Sequence, residues 1–303
     1  MEELIPCYPE YFSVSVYRIP LYKEESMRKT FLVFCFSLCS LAVSAQNVTL
    51  LHLNTQEGRT VSRLLQVILE ERMGLAVQLQ ETDAKSAFTA VARGNADAFI
   101  EAHLPMEHKK YFEKHYRDLT DCGCLFKGAQ TGLVVPAYVD ISRISELNTR
   151  SENFKKLIFG TNPEAPLFQT TEQTVIPRYG LDFAVEPLTE RKMLIELQTC
   201  INIGEWVVIT GWSPHWMFAR WDLKFLKQDL DKLVWQSDNI HIVSRKSLAL
   251  ENPEVNRFLC NISFTDEELN GLLYELWESI GAVNLAVERW SGNHEELIQS
   301  WMP

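Results

Sequence analysis

Apolar and polar positions change along the chain in a regular order, with short apolar runs separated by longer segments of helical periodicity. Residues 48–53 form an apolar run typical of a buried strand, and residues 60–73 follow with apolar side chains three and four positions apart. Strand-like runs return at 76–80 and 96–101, on either side of a helix-like segment at 84–93. Because strands that alternate with helices form mainly parallel sheets covered by helices, this pattern predicts an α/β fold.

A second set of alternating segments begins near residue 131. It predicts strands at 131–136, 157–160, 183–186, 207–211 and 240–244, helices at 168–179 and 190–202, and a mainly helical stretch at 254–301. No tandem repeat, low-complexity run or linker separates the two sets. We therefore predict two compact lobes. The chain passes from one lobe to the other twice, near 127–133 and near 238–246.

The N-terminal segment differs in composition from the rest of the chain. Two basic residues precede an apolar run at 31–41, and small residues at 43–45 suit a signal peptidase. We predict an upstream extension at 1–26, a signal peptide at 27–45 and a soluble periplasmic product that starts near Gln46. A transmembrane anchor is the alternative, although the apolar run is short for a membrane span.

Charge and cysteine content narrow the possible partners. The formal net charge of −11 leaves no basic surface to follow a phosphate backbone, so we expect no nucleic-acid partner. Four cysteines follow the predicted signal peptide, and an oxidising compartment would allow them to form bridges. A Cys122–Cys124 bridge would be strained, and the sequence assigns no pairing among these two residues, Cys200 and Cys260.

A ten-residue segment at 212–221 contains three tryptophans. The apolar run before it predicts a strand, Ser213 suits a helix cap, and Pro214 suits the first helical position. Trp212 is thus expected on the loop at the carboxyl end of a strand, where α/β sheets bind ligands and where an indole face attracts a cation. Trp216 and Trp221 are expected to pack under the helix.

Several segments together resemble a known family. They are Gly94-Asn-Ala-Asp-Ala-Phe-Ile-Glu-Ala-His-Leu-Pro-Met-Glu-His108, Gly132-Leu-Val-Val-Pro136, Trp212-Ser-Pro-His-Trp216, Asp222-Leu-Lys-Phe-Leu226 and Ile240-His-Ile-Val-Ser-Arg-Lys246. In this order they resemble the glycine-betaine-binding family of ABC importer substrate-binding proteins. The resemblance implies a two-lobed periplasmic-binding fold of type II that closes around a hinge, and a membrane permease with a cytoplasmic ATPase as partner.

The resemblance also implies lobe boundaries and a ligand site. Lobe 1 would comprise residues 46–128 and 245–303, and lobe 2 residues 129–244. Members of the family hold a quaternary ammonium group in a box of tryptophans, where ring quadrupoles replace water around a cation that cannot donate hydrogen bonds.

Only one of the three box tryptophans has a counterpart in this chain. Trp212 matches, whereas His103 and Thr55 occupy the other two aligned positions. By the resemblance, His108 would bind the carboxylate of the ligand. The backbone donors align with Pro166 and Leu167, and proline has no N–H group to donate.

Further polar residues near predicted strand ends are candidates for the site. Glu57 and Glu101 could oppose an ammonium group, although Glu57 also suits a helix N-terminus. His215 could contact the ligand or orient the loop of Trp212. The spacing of His103 and His108 is not that of helical zinc ligands, so we predict no metal site.

The sequence therefore predicts a noncatalytic, monomeric solute-binding component of an ABC importer. We expect a small cationic or zwitterionic solute, altered from glycine betaine because two box tryptophans are missing, and no cofactor. One alternative is a binding module for a sensor or regulator. The other is a hydrolase on the same scaffold with His108 or His215 as base, although no nucleophile elbow or phosphate loop is present.

Overall fold

The computed structural model describes residues 47–303, apart from the side chain of Leu230. The predicted upstream extension at 1–26 and signal peptide at 27–45 lie outside these residues. None of the helices in the described part has the length and apolar character needed to cross a membrane.

Nine strands form one sheet within residues 47–303. They are β1 (Asn47–His52), β2 (Ala76–Glu81), β3 (Ala98–Leu104), β4 (Leu119–Pro136), β5 (Leu157–Gly160), β6 (Ala184–Pro187), β7 (Ile209–Ser213), β8 (Leu223–Phe225) and β9 (Asp238–Arg245). Their order is β2-β1-β3-β9-β4-β7-β5-β6, with β8 beside β4. The pairs β1–β2, β1–β3, β5–β6 and β5–β7 are parallel, whereas every pair that involves β4 or β9 is antiparallel.

The long strand β4 joins the two halves of this sheet. Its first half pairs with β9 from Leu119 to Ala129, and its second half pairs with β7 and β8 from Gln130 to Pro136. The sequence predicted only 131–136 as a strand, because the preceding residues include polar side chains and two glycines. Pairing with β9 overrides that local preference.

Twelve α-helices cover the sheet in the part of the chain that the structure describes. They are α1 (Gln56–Met73), α2 (Ala84–Ala92), α3 (Lys109–His115), α4 (Pro166–Thr170), α5 (Ile176–Tyr179), α6 (Glu190–Ile203), α7 (Met217–Arg220), α8 (Leu248–Glu251), α9 (Pro253–Asn261), α10 (Asp266–Glu278), α11 (Val283–Asn293) and α12 (Glu295–Trp301). A π-helical turn, Thr171–Val175, joins α4 to α5, and 3₁₀ turns occupy Ile144–Phe154 and Leu230–Lys232. The predicted α/β fold, with a sheet covered by helices, is confirmed.

Two large hydrophobic clusters pack on opposite halves of the sheet. The first joins β1, β3 and β9 to the helices α1, α9 and α10, with Leu64 and Phe258 at its centre. Trp290 and Trp301 are buried in this cluster. The second cluster joins the end of β4 to β5 and the segment before β7. The lobe boundaries of 46–128 with 245–303, and of 129–244, stay predictions.

The segment around Trp212 differs from its prediction. Trp212 lies inside β7 and pairs with Thr131 of β4, because the antiparallel ladder continues to Ser213. The helix that follows begins only at Met217, so Ser213 does not cap it and Pro214 is not its first residue.

Candidate functional site

A buried carboxylate organises the turn between β1 and α1. Glu101, in the middle of β3, is 4 % exposed and accepts hydrogen bonds from the Leu53 N–H (3.2 Å) and the Thr55 hydroxyl (2.8 Å). The Thr55 hydroxyl also caps α1 by accepting the Gly58 N–H at 2.9 Å. The aligned Thr55 therefore has both hydrogen-bonding roles of its hydroxyl occupied within the protein.

Glycine is required at position 58 by this carboxylate. A Cβ atom there would lie 2.1 Å from Oε2 of Glu101 and 2.8 Å from the Thr55 hydroxyl oxygen. The first turn of α1 can therefore approach β3 only without a side chain at this position. Glu57, the other acid predicted here, lies half-buried in the same turn.

The environment of Glu101 favours its protonated form. Burial raises the pKa of Glu101 to about 7, the Thr55 hydrogen bond opposes this shift, and the nearby charge of Glu57 adds to it. A carboxyl group with this pKa changes charge near neutral pH.

His103 and His108 form a closed pair at the turn after β3. The His103 N–H donates to Nδ1 of His108 at 2.9 Å, and the His108 N–H donates to the His103 carbonyl at 2.9 Å. Their ring centroids are 5.3 Å apart and nearly perpendicular. The turn passes through a cis Leu104–Pro105 peptide bond. Two histidines that the sequence singled out separately are thus one structural unit.

His108 is a neutral, buried ring. It is 4 % exposed and packs against Phe88, Phe99 and Tyr111. Burial is the main cause that lowers its pKa to about 4, with the charge of His103 second. Because Nδ1 accepts a hydrogen bond, we assign the proton to Nε2, which lies 3.9 Å from Oε1 of Glu107.

Three side chains beside this turn could share a metal ion. Ligand atoms of His103, Glu107 and Asp238 lie within 4.8 Å of one another. The Asp238 carboxylate already accepts the N–H groups of Met106 (2.7 Å) and Glu107 (2.9 Å). The sequence predicted no metal site, and nothing in its spacing linked Asp238 to His103.

On the other half of the sheet, Trp212 and His215 are in direct contact. The half-buried indole of Trp212 meets the His215 ring edge-on, at a centroid distance of 4.7 Å. His215 is buried; its Nδ1 accepts the Met217 N–H at 3.1 Å, and its Nε2 lies 3.2 Å from Oε1 of Glu190. Both ring nitrogens of His215 therefore contact protein groups, which suits a role in orienting Trp212.

Leu167 lies in the first turn of α4, after the end of β5. It is half-buried, and its carbonyl accepts the Thr171 hydroxyl at 2.7 Å. Gly160 ends β5 at a close approach, because a Cβ atom there would lie 2.6 Å from the Phe168 ring. The turn that would supply backbone donors is therefore tightly packed at its base.

A cavity of about 890 Å³ opens between α1, α6 and α10. Its lining includes Gln56 and Arg59 of α1, Glu190 of α6, and the indoles of Trp216 and Trp277. None of the seven predicted ligand residues, all within the described part of the chain, belongs to this lining. Gln56 directly follows Thr55, however, and Glu190 contacts His215. The cavity therefore adjoins two rims of the sheet, one at the ends of β1 and β3 and the other at the ends of β7 and β5.

Sequence reasoning missed several residues that hold these rims in place. Glu190 and Asn270 fix His215, the latter by accepting its backbone N–H at 2.9 Å. Asp238 holds the turn between His103 and His108 through backbone N–H groups. These contacts join residues far apart in the chain, and no local pattern in the sequence signals them.

Comparison with known proteins agrees with this arrangement of strands and helices. Residues 46–292 match the model of a family described as the substrate-binding domain of ABC-type glycine betaine transport systems. A glycine betaine/carnitine transport binding protein of Listeria monocytogenes is 29% identical over 153 residues, which cover 50% of this chain and 50% of that protein. The matched segment thus spans about half the length of this curated relative.

Solved structures of similar proteins cover most of the chain. Lactococcal OpuAC, in a closed conformation with glycine betaine, is 28% identical, with a TM-score of 0.63 over 85% of this chain and 100% of that one. The glycine betaine/L-proline-binding protein ProX of Borrelia burgdorferi is 26% identical, with a TM-score of 0.63 over 85% and 97% of the two chains. A choline-binding protein in complex with choline, at 18% identity and a TM-score of 0.59, shares the fold.

Proposed function

The chain belongs to the family of substrate-binding domains of ABC-type glycine betaine transport systems, and on this basis we propose that it delivers a small zwitterionic or cationic solute to an importer. The observation that carries the proposal is the family match over 46–292, together with the aromatic rim that presents Trp212. The family consists of solute-binding domains of transporters, and the proposed role is binding without catalysis. Its proposed partners are a permease and a cytoplasmic ATPase, and its proposed place is outside the cytoplasm, as a monomer.

The proposed site lies between two rims of the sheet. Thr55, His103 and His108 belong to the rim at the ends of β1 and β3, and Trp212 and Leu167 belong to the rim at the ends of β7 and β5. A solute that touches both rims would stabilise the closed arrangement, which is how two-lobed binding proteins shift their conformational population. Glu57 and His215 lie next to these rims as supporting residues.

We propose that the solute carries N–H groups in place of a fully methylated ammonium. Trp212 is the single indole at the three aligned box positions, and each aromatic wall contributes roughly 0.5 to 2 kcal/mol to cation binding. Loss of two walls would cost about 1 to 4 kcal/mol, which is about one to three decades of affinity. A polar wall recovers part of this energy only if the ligand can donate a hydrogen bond.

Of the two replaced walls, His103 is the better candidate for a direct contact. Its side chain is 23 % exposed, whereas the Thr55 hydroxyl is already bonded to Glu101 and Gly58. Nδ1 of His103 lies 3.6 Å from Oε2 of Glu107, so an imidazole and a carboxylate stand side by side at this rim. An ammonium group with N–H donors would find two acceptors there.

A thermal-shift screen on residues 46–303 tests the proposal. The screen compares quaternary amines, amino acids and polyamines, because a ligand at 100 times its Kd adds about 2.7 kcal/mol to the free energy of unfolding. We expect the largest shift from a compound with at least one N–H on its cationic nitrogen. If no compound of these classes raises the Tm, the proposed transport role is contradicted. If glycine betaine alone raises the Tm, the proposal of an altered ligand is contradicted.

A further inference from the structure

Two cysteines face each other where α9 packs on the sheet. Cys122 lies in β4 with its side chain buried in the first hydrophobic cluster, and Cys260 lies in the last turn of α9 at the edge of the same cluster. The helix packs on both β4 and β9. The two thiols therefore come from elements that are far apart in sequence and fixed against each other in the fold.

A line of side-chain contacts runs along this interface. The Cys122 thiol donates to the Ser244 hydroxyl of β9 at 3.4 Å, and that hydroxyl donates to Oδ1 of Asn256 at 3.5 Å. Asn256 precedes Cys260 by one helical turn, so the two residues lie on the same face of α9. Through Asn256 this face contacts β9, the strand that pairs with β4.

The two thiols lie close enough to shift each other's pKa values in opposite directions. The neighbouring thiol is the largest influence on each: it raises the pKa of Cys122, where burial adds to the effect, and lowers the pKa of Cys260. Cys260 is half-buried and reaches solvent. It is therefore the thiol of the pair that forms a thiolate more readily and meets an oxidant first.

The other two cysteines of the described chain lack this relationship. Cys124 lies two residues along β4 and outside the first cluster, and Cys200 lies in α6 on the opposite half of the sheet. For both, burial is the main cause that raises the pKa of the thiol. They serve as matched controls within the same protein.

We propose that Cys122 and Cys260 form a disulfide bond in the mature protein, an inference that rests on the extracytoplasmic location proposed above. The required oxidant is a disulfide donor, such as a dithiol oxidase or oxidised glutathione. The Cys260 thiolate attacks one donor sulfur and breaks the donor S–S bond, so that a mixed disulfide forms and the other donor sulfur leaves as a thiolate that takes a proton from water. Cys122 then gives its proton to water and attacks the Cys260 sulfur, which releases the second donor thiol.

The bond would join the C-terminal helices to the centre of the sheet. The loop that it closes runs from β4 through β5, β6 and β7 and back through β9 to α9. Loops of more than about 100 residues lie at the upper end of the entropic stabilisation expected for a crosslink. We therefore expect reduction to lower the Tm by about 5–10 °C.

Peptide mapping of the exported full chain tests the proposal. Trypsin leaves Cys122 and Cys124 together between Arg117 and Lys127, and Cys260 between Arg257 and Arg289. We expect the two peptides to be linked, with a mass two hydrogens below their sum. The link should persist in Cys124→Ser and Cys200→Ser and disappear in Cys122→Ser and Cys260→Ser.

A second readout keeps the test valid if Cys122→Ser fails to fold. Dithiothreitol should lower the Tm of the wild-type chain and of Cys200→Ser, and leave the Tm of Cys260→Ser unchanged. Native-state alkylation of both Cys122 and Cys260 in the exported protein, or a link through Cys124, would overturn the proposal.

Treatment of the purified, reduced chain with oxidised glutathione separates this inference from the proposed function. A Cys122–Cys260 link without solute binding contradicts the transport role alone. Solute binding with both thiols still free after this treatment contradicts the disulfide alone.

Discussion

The two rims of the sheet differ in how their side chains are engaged. At the ends of β1 and β3, the Thr55 hydroxyl donates to Glu101 and the His103 N–H donates to His108, with Glu101 and His108 each 4 % exposed. At the end of β7, Trp212 rests on His215, and the His215 ring stacks on Trp216 at 5.4 Å. The first rim is a polar network whose charge depends on pH, and the second is an aromatic cluster.

This difference suggests why aromatic walls could be lost from one rim only. The side chains of Thr55, Glu101 and His108 in the first rim bond to protein groups, so these three groups stay paired in the absence of an indole. The described contacts of Trp212 in the second rim include no comparable side-chain hydrogen bonds. Its indole packs on the His215 ring, which contacts Glu190 and the Met217 N–H. The predictions below separate the two rims by the size and kind of effect.

The largest expected effect concerns Glu101 and stability as a function of pH. The unfolded chain releases this proton near pH 4.5, whereas the folded chain keeps it to about pH 7. The folded state therefore binds more protons between these values, and the stability that Glu101 contributes is lost as pH rises through the window. Over about 2.5 pKa units the change is of the order of 3 kcal/mol.

The stability that His108 contributes depends on pH in the opposite direction. Its folded pKa of about 4 lies below its usual 6.5, so the unfolded chain takes up the proton first as pH falls. Stability is lost between pH 6.5 and 4, by a similar amount. Between about pH 4.5 and 6.5 the two contributions offset each other, which makes the wild-type profile flatter than that of either single variant.

Urea unfolding at pH 4.5, 5.5, 6.5 and 7.5 checks this pair. Glu101→Gln should lose stability relative to wild type as pH falls, and His108→Asn should lose it as pH rises. Glu113→Gln, on the exposed face of α3, is the control and should follow wild type. Parallel profiles for wild type and both rim variants would show that the network does not titrate as described.

The next effect concerns Trp212 of the aromatic rim. Trp212→Ala should weaken solute binding by up to about 30-fold, because it removes one desolvated aromatic wall worth about 2 kcal/mol. Trp206→Ala, which removes a half-buried indole packed on Phe154 in the second cluster, is the control. Calorimetric titration with the best compound from the thermal-shift screen should show weaker binding for the first variant only. Unchanged affinity in Trp212→Ala would remove Trp212 from the site.

The close packing of Gly58 against Glu101 in the polar rim predicts a stability effect of similar size. Gly58→Ala should destabilise the protein by about 1–3 kcal/mol, because its Cβ would overlap the buried Glu101 carboxylate. Gly292→Ala in α11 has open space around its Cβ and should be stabilising by about 0.5–1 kcal/mol. Chemical denaturation of both variants measures the contrast. A neutral Gly58→Ala would mean that the β1–α1 turn is less closely packed than the structure shows.

Much of the fold could be predicted from the sequence because short strand-like runs alternate with segments of helical periodicity. The first half of β4 could not, since its polar residues form a strand only through pairing with β9. The same cause placed Trp212 inside β7 instead of on a loop. Tertiary pairing, which no local pattern encodes, decided both cases.

The candidate site divides in the same way. The family resemblance pointed to Thr55, His103 and His108, and position near a predicted strand end pointed to Glu101 and Trp212. It could not show that Glu101 bonds to Thr55, because the contact joins β3 to a turn 46 residues earlier. Contacts of this range determine which polar groups are already satisfied and which remain available to a ligand.

The most direct test of the account is a calorimetric titration of the wild-type protein and His103→Trp with glycine betaine and dimethylglycine, which differ by one methyl group. The altered polar rim predicts tighter binding of dimethylglycine to the wild type. In His103→Trp it predicts a gain in glycine betaine affinity of about tenfold, from one restored aromatic wall. Micromolar or tighter binding of glycine betaine to the wild type, with no gain in His103→Trp, would contradict it.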